Sequence, residues 1–297
     1  MAAIKSYKGF DKNLKCRDFQ YEIGKEYEMD GEIKVCSRGF HACESPFDVF
    51  DHYTMIDSRF CEVEQDGNIS KEDRGTKICS SKIKIKAELK LADMINLGVE
   101  WLKEITSPKK MKTSIKDNSS GNDAQIGSSG NGAKIGSSGY GAQIGSSGYG
   151  AKIGSSGNGA KIGSSGNDAK IGSSGYGAQI GSSGNGAKIG SSGNGAKIGS
   201  SGYGAQIGSS GYGAKIGSFG NGAKIDSTGE DCVIMCAGIN SVAKASKGSW
   251  ITLSEWSYSD KKQRYIPVCV KTEFVDGEKI KADTYYKLDG GVFKEIQ

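Results

Sequence analysis

At 297 residues the chain is long enough for two or three domains. Its formal net charge of +5, from 39 Lys and Arg against 34 Asp and Glu, is a mild bias and excludes the dense positive field of a dedicated nucleic-acid binder. No apolar run approaches the ~18–20 residues that cross a bilayer, and the start, Ile4-Lys5-Ser6-Tyr7-Lys8, lacks the apolar core of an export signal. A cytosolic protein with no membrane partner is expected, its eight cysteines standing as thiols.

The first hundred or so residues read as a mixed α/β head. Phe60 to Glu64 and Lys82 to Leu89 alternate apolar and polar side chains as strands do. Ser45-Pro46-Phe47-Asp48 reads as a helix start, with Ser45 as N-cap and Pro46 in the first turn. That helix would carry Phe47, Val49, Phe50 and Tyr53, with His52 on its exposed side. A second helix is expected from Leu91 to Ile105, where Leu91, Met94, Ile95, Val99, Leu102 and Ile105 recur at helical spacing. Ser107-Pro108-Lys109-Lys110 would end it and begin a polar link.

The densest sulfur–imidazole cluster is Cys36, His41 and Cys43, with Cys16 upstream. Cys and His are zinc ligands, yet the spacing lacks the paired short knuckles of a structural zinc site. A nucleophilic Cys36 or Cys43 served by His41 or His52 needs spatial adjacency and an orienting group. The competing reading is a set of small buried thiols, and no metal or cofactor is expected.

From about Asn118 to Ile234 one nine-residue phrase returns, typified by Gly-Ser-Ser-Gly-Asn-Gly-Ala-Lys-Ile at Gly154 to Ile162. Ile recurs every nine residues from Ile126 to Ile225, with Ala two residues before each. Ala-x-Ile puts the small and the large apolar side chain on one face, and Gly-Ser-Ser-Gly then turns the chain at little steric cost. So short a unit cannot bury its own face, whereas stacked copies share one core. The pattern therefore predicts a parallel β-solenoid rather than a flexible linker. Two phrases per coil would make a flattened tube of two sheets; three would make a triangular prism. Two inward residues per strand suit the thin tube.

In the flat tube Gln125, Gln143, Lys161, Gln179, Lys197 and Lys215 line one outer face. Lys134, Lys152, Lys170, Lys188, Gln206 and Lys224 line the other, a nearly unbroken Lys ladder. Tyr140, Tyr149, Tyr176, Tyr203 and Tyr212 replace the Asn of the turn and would set rings beside that charge. The triangular form instead stacks Tyr149, Tyr176 and Tyr203. Lys could contact phosphates and Tyr could stack bases, while Lys on an exposed sheet also guards against aggregation. A calcium-binding roll would need an Asp in each repeat, and only Asp123 and Asp168 fill that place. An ice-binding ladder would need outward hydroxyls, and these columns carry Lys and Gln.

Cys232-Val233-Ile234 is a last, degraded phrase. Trp250 to Trp256, Tyr265 to Glu273 and Thr284 to Leu288 then read as ordinary strands, with turns at Asp276-Gly277 and Asp289-Gly290-Gly291. Irregular ends of this kind cap a solenoid and stop edge-to-edge stacking.

Lys8-Gly9-Phe10-Asp11-Lys12-Asn13-Leu14-Lys15-Cys16-Arg17, Gln20-Tyr21-Glu22-Ile23-Gly24-Lys25-Glu26-Tyr27 and Gly39-Phe40-His41-Ala42-Cys43 leading into Pro46-Phe47-Asp48-Val49-Phe50 carry a resemblance. So does the tail phrase Ile280 to Leu288. Together they resemble a group of accessory proteins from phages and prophages, which carry short Gly-rich repeats between such ends. The resemblance implies a phage or mobile-element accessory protein and transfers no catalytic residue.

The expected fold is mainly β: an N-terminal α+β domain over 1–112, a nonapeptide-repeat β-solenoid over 118–245 and a C-terminal β domain over 246–297. The expected function is non-enzymatic binding of a host protein or ribonucleoprotein complex, in the manner of an anti-CRISPR inhibitor. Its binding surface would comprise Lys134, Lys152, Lys170, Lys188 and Lys224 with the five tyrosines, with weak nucleic-acid contact and self-association as further features. Two rival readings stand beside it: an enzyme using Cys36, His41 and Cys43, and a structural or virion-associated spacer.

Overall fold

The computed structural model describes residues 3–72, 75–105 and 121–296. They fall into two compact units, Met1–Trp101 and Leu102–Gln297. The expected link from Ser107, and the boundary near 112–118, lie outside the described residues.

The first unit is built on β1 (Ile4–Phe10), β2 (Lys15–Cys16), β3 (Phe19–Gln20), β4 (Glu26–Glu28), β5 (Phe40–Cys43), β6 (Arg59–Lys71) and β7 (Lys77–Leu89). Five of these form one antiparallel sheet in the order β4-β7-β5-β1-β6, and β6 pairs with β7 as well, so the sheet closes on itself. Ser6 through Phe10 are buried without alternation because closure turns one face of β1 inward, while the Pro46–Asp51 segment and the Tyr53 ring pack against β1. β2 and β3 form a separate small hairpin.

The expected second helix is present as α1 (Leu91–Ile105), with Met94, Ile95, Val99 and Leu102 buried. Asp93 accepts the backbone N–H of Lys90 at 2.9 Å, satisfying a donor at the helix start. The expected first helix is only a six-residue 3-10 segment, Pro46–Asp51, and Ser45 makes no side-chain cap. The backbone N–H of Ser45 is instead held by Thr76 Oγ1, which donates to Asp48 Oδ2 at 2.8 Å. In this tighter winding Phe47 and Phe50 fall one above the other on the buried side.

In the second unit the nine-residue phrase becomes one strand per copy, from β8 (Gln125–Ser128) and β9 (Lys134–Ser137) at nine-residue steps to β19 (Lys224–Ser227). Each strand pairs in parallel with the strand two phrases away: Ile144 lies beside Ile126 and Ile162, and Ile153 beside Ile135 and Ile171. The coil is therefore two phrases long, and the triangular form is excluded. Backbone bonds repeat with the coil, as from Lys152 N–H to the Ala133 carbonyl at 2.7 Å and from Lys170 to Ala151 at 2.8 Å.

Ile and Ala are buried as the alternation requires. The strand, however, runs Lys-Ile-Gly-Ser, so the first Ser of each phrase points inward and is a core residue, as at Ser155, Ser173 and Ser191. The turn reading of that Ser is corrected: alternation carries on past Ile, and only the second Ser belongs to the turn. The Gly after it has a steric reason. A Cβ on Gly175 would collide with the carbonyl of Gly157 in the coil beneath, and the same holds from coil to coil. Two residues on, the chain takes φ near +66°, where Gly stands in most copies and Asp123 and Asp168 in two. The two aspartates thus fill a left-handed turn position. Asn side chains cap the turns, each accepting the N–H eighteen residues ahead, as Asn158 does from Tyr176 at 2.9 Å.

The parallel stack does not stop where the wording decays. β20 (Val233–Cys236) and β21 (Val242–Ala245) continue the two sheets, and Trp250 to Leu253 of β22 (Trp250–Ser259) pairs in parallel with β20. The solenoid spans residues 125–253, roughly seven turns. Cys232 and Cys236 take the inward Ala and Ser places, and Ala243 takes that of Ile. β23 (Arg264–Phe274) then turns back antiparallel on β22, and the hairpin β24 (Tyr285–Asp289) and β25 (Val292–Ile296) closes the other sheet. Val275, Ile280, Tyr286 and Leu288 plug the end of the core. Among the described residues no helix is long and apolar enough to cross a membrane.

Candidate functional site

The expected Lys ladder forms. Lys134, Lys152, Lys170, Lys188, Gln206 and Lys224 are neighbours in register on one sheet. Its exposure is corrected. Lys134 is exposed, Lys152, Lys188 and Lys224 are half-buried, and Lys170 keeps only 6% of its surface, with Gly154, Gly172 and Gly190 beside them buried. The Lys224 ammonium lies 4.2 Å from the ring centre of Tyr285. Alternation decides which way a side chain points, not whether that side remains in water.

The five tyrosines are exposed and stand at the edges of the tube, beside the sheets that carry the lysines. Tyr140, Tyr176 and Tyr212 lie along one edge of the tube at every second coil, with Asn158 and Asn194 between them. Tyr149 and Tyr203 lie on the opposite edge. The expected Lys–Tyr surface is thus divided among one sheet and two edges.

The other sheet is open. Gln125, Gln143, Lys161, Gln179, Lys197 and Lys215 are all exposed along it. The same column continues in register through Val233 and Trp250 to Phe274, and the next through Gly217 and Met235 to Thr252 and Thr272. Val233, Met235, Trp250, Phe274 and, opposite Ser254, Val270 are each at least 40% exposed, an apolar end to an otherwise polar face. Trp250 and Phe274 pack with ring centres 5.0 Å apart. The nine-residue register, carried on through the degraded phrase Cys232-Val233-Ile234, puts Val233 and Met235 on outward positions.

The first unit holds a cavity of about 1110 Å³. β1 brings Lys8 to its wall, β5 brings His41 and Cys43, and the β2–β3 hairpin brings Cys16, Arg17 and Phe19. Gly9 leaves room for the ring of Tyr53 directly against the strand. Lys8 is 4% exposed. Its ammonium donates to the His41 carbonyl at 2.9 Å and to Cys16 Sγ at 3.4 Å, and lies 5.4 and 5.7 Å from the ring centres of Phe10 and Tyr21. Burial lowers its pKa, with Cys16 opposing. Cys16 Sγ is 3.0 Å from the Tyr53 hydroxyl, and burial first, then that contact, pushes the Tyr53 pKa up.

Cys36, His41 and Cys43 do not converge. His41 Nε2 accepts the N–H of Cys36 at 2.9 Å, the exposed Cys36 Sγ accepts from Lys77 Nζ at 3.1 Å, and Cys43 is buried on the sheet. Among the described residues no group of three or more His, Cys, Asp or Glu is placed to hold a metal. Burial, reinforced by Asp48 and Asp51, pushes the Cys43 thiol up to about 12, so it stays protonated at neutral pH and is no ready nucleophile. All eight cysteines are free. Lys8 and Tyr53 carry no mark in the sequence that sets them apart from a surface lysine and a core tyrosine.

Burial, and after it the charges of Lys8 and Lys77, hold His41 below the usual imidazole range. The fold keeps the neutral ring because Nε2 must accept a proton donor. Below the ordinary value of ~6.5 the unfolded chain takes up a proton that the folded site refuses, so this residue's contribution to stability falls as pH falls. The chain has two histidines, which makes the test direct. Ring-proton NMR is expected to show one histidine, absent in His41→Gln, titrating below ~6.5; a midpoint above that value would refute the neutral-acceptor assignment.

Residues 4–97 match the model of a family described as a domain of unknown function, DUF7666. No curated protein and no solved structure matches the chain.

Proposed function

We propose that the chain is a non-enzymatic binding protein that meets a macromolecular partner on the open sheet of the solenoid. One observation carries the reading: Val233, Met235, Trp250, Phe274 and Val270 make an exposed apolar patch in register with Lys197 and Lys215 on a stacked sheet. Exposed apolar patches rimmed by polar side chains mark protein-interaction sites, and Trp is prominent among the residues that dominate such contacts. The partner we propose is a host protein or ribonucleoprotein complex in the cytosol. The resemblance of the head and tail stretches to phage and prophage accessory proteins supports its specific form, inhibition of a nucleic-acid-targeting defence complex.

The test is capture of partners from host lysate by the tagged full chain, with and without nuclease treatment, beside the double variant Trp250→Glu/Met235→Glu. A defence nuclease that survives nuclease treatment and is lost with the variant supports the reading. A loss of about 30-fold in affinity is expected, since a central aromatic contact is worth about 2 kcal/mol or more. Capture of nucleic acid alone, released as salt is raised, would refute a protein-directed inhibitor.

A further inference from the structure

We propose that the cavity of the first unit is a binding site for a small anionic ligand with a planar ring, of the nucleoside monophosphate class. The inference does not rest on the solenoid reading, because every lining residue it uses lies in the first unit.

The anion is called for by Lys8. A buried ammonium is ordinarily paired with a carboxylate, since an unpaired buried charge is costly. Lys8 has a carbonyl, a thiol and two ring faces around it, and among the described residues no carboxylate bonds it. Arg17, Lys77 and His41 share the same cavity wall. The acidic side chains on that wall, Asp18, Glu26 and Glu28, are exposed, as Arg17 is, and Glu28 is paired with Lys82 at 3.0 Å, which leaves Lys8 as the charged group of the buried part. The interior thus offers cationic and N–H donors to an anion, and a phosphate or carboxylate reaching Lys8 would supply the missing partner through a charge-assisted hydrogen bond.

The ring is called for by Phe19. It lines the cavity yet remains 46% exposed, held edge-on by Tyr21 at 4.8 Å and Tyr27 at 5.3 Å between ring centres. An aromatic ring fixed by its neighbours with its own surface in solvent is a stacking platform for a nucleobase. A cavity of about 1110 Å³ is far larger than an inorganic anion needs and is of the size that holds cofactor-like ligands. Base on Phe19 and phosphate on Lys8 use both features with one ligand.

The experiment is calorimetric titration of the full chain with AMP, GMP, CMP and UMP, with inorganic phosphate and adenosine as separate arms. At least one monophosphate is expected to bind at one site per chain, with phosphate alone and adenosine alone each weaker by about tenfold or more. Lys8→Met is expected to weaken the monophosphate by at least about tenfold, the loss of one charge-assisted bond. Phe19→Ala, at a partly exposed position outside the buried core, is expected to weaken the monophosphate while leaving phosphate unchanged. Failure of all four monophosphates to bind the unaltered chain at millimolar concentration overturns the proposal. Equal affinity in the unaltered chain and Phe19→Ala overturns it too. Trp250→Glu/Met235→Glu is expected to bind nucleotide normally, which separates this site from the solenoid's partner.

Discussion

A single methyl group added at Gly175 is expected to destabilise the solenoid by on the order of 2–4 kcal/mol, whereas the same change at Gly181 is expected to leave it unchanged or slightly more stable. The two glycines lie six residues apart in consecutive phrases, and composition alone does not separate them. The difference is what lies beneath. A Cβ on Gly175 would overlap the carbonyl oxygen and carbon of Gly157, backbone atoms of the preceding coil that no rotamer change can move. To make room the two coils must part, and the coil-to-coil bonds beside it, such as Gly159 N–H to the Tyr176 carbonyl at 2.8 Å, lengthen with them. Gly181 points into the open face, with nothing within 4 Å of where its Cβ would stand. Denaturant unfolding of Gly175→Ala and Gly181→Ala, with hydrogen exchange to localise the loss, checks the pair. Because each repeat in a solenoid contacts only its neighbours, faster exchange is expected in the coils flanking Gly175 and not at the cap. Equal stability of the two variants would show that the coils are not packed at this spacing.

What was legible in the sequence follows from how locally each feature is determined. Ile at every ninth place with Ala two before it announced the strands, and a core only two side chains thick announced the flat coil, because those depend on alternation alone. Leu91 to Ile105 was legible for the same reason: its apolar stripe is a property of the segment. The inward Ser was not, because a small polar residue after Gly in a Gly-Ser-Ser-Gly run reads as turn, and only the neighbouring coil shows that the strand continues. Trp250 to Trp256 was legible as a strand, but Val242 to Ala245, and the place of Trp250 to Leu253 in the parallel stack, were hidden by wording: Ala243 stands where Ile is expected, and β22 begins eight residues after β21 rather than nine. For the candidate site the limit was sharper. The burial of Lys8 depends on chain far away in sequence. Its ammonium is enclosed by the His41 carbonyl of β5 and the ring of Tyr21, which no window around Tyr7-Lys8-Gly9 contains.

The second large effect has the opposite sign, and it concerns the inward serines. Ser173, Ser191 and Ser209 stand on successive coils of one sheet, each almost wholly buried, and among the described residues none of their hydroxyls has a hydrogen-bond partner. A buried hydroxyl without a partner costs about 1–3 kcal/mol, while Ala fills nearly the same space without that penalty. The triple variant Ser173→Ala/Ser191→Ala/Ser209→Ala is therefore expected to be more stable than the parent by about 3 kcal/mol, read as a higher denaturation midpoint at unchanged slope. Ile189→Ala, in the same strand as Ser191, supplies the contrast. Its side chain is fully buried in the same core, and truncation is expected to cost about 2–5 kcal/mol. A core built from one Ile and one Ser per strand thus takes its cohesion from the Ile column alone, with the Ser column tolerated for its size. If the triple variant is instead less stable than the parent, the hydroxyls bond one another along the ladder, and the Ser column contributes to holding the coils together.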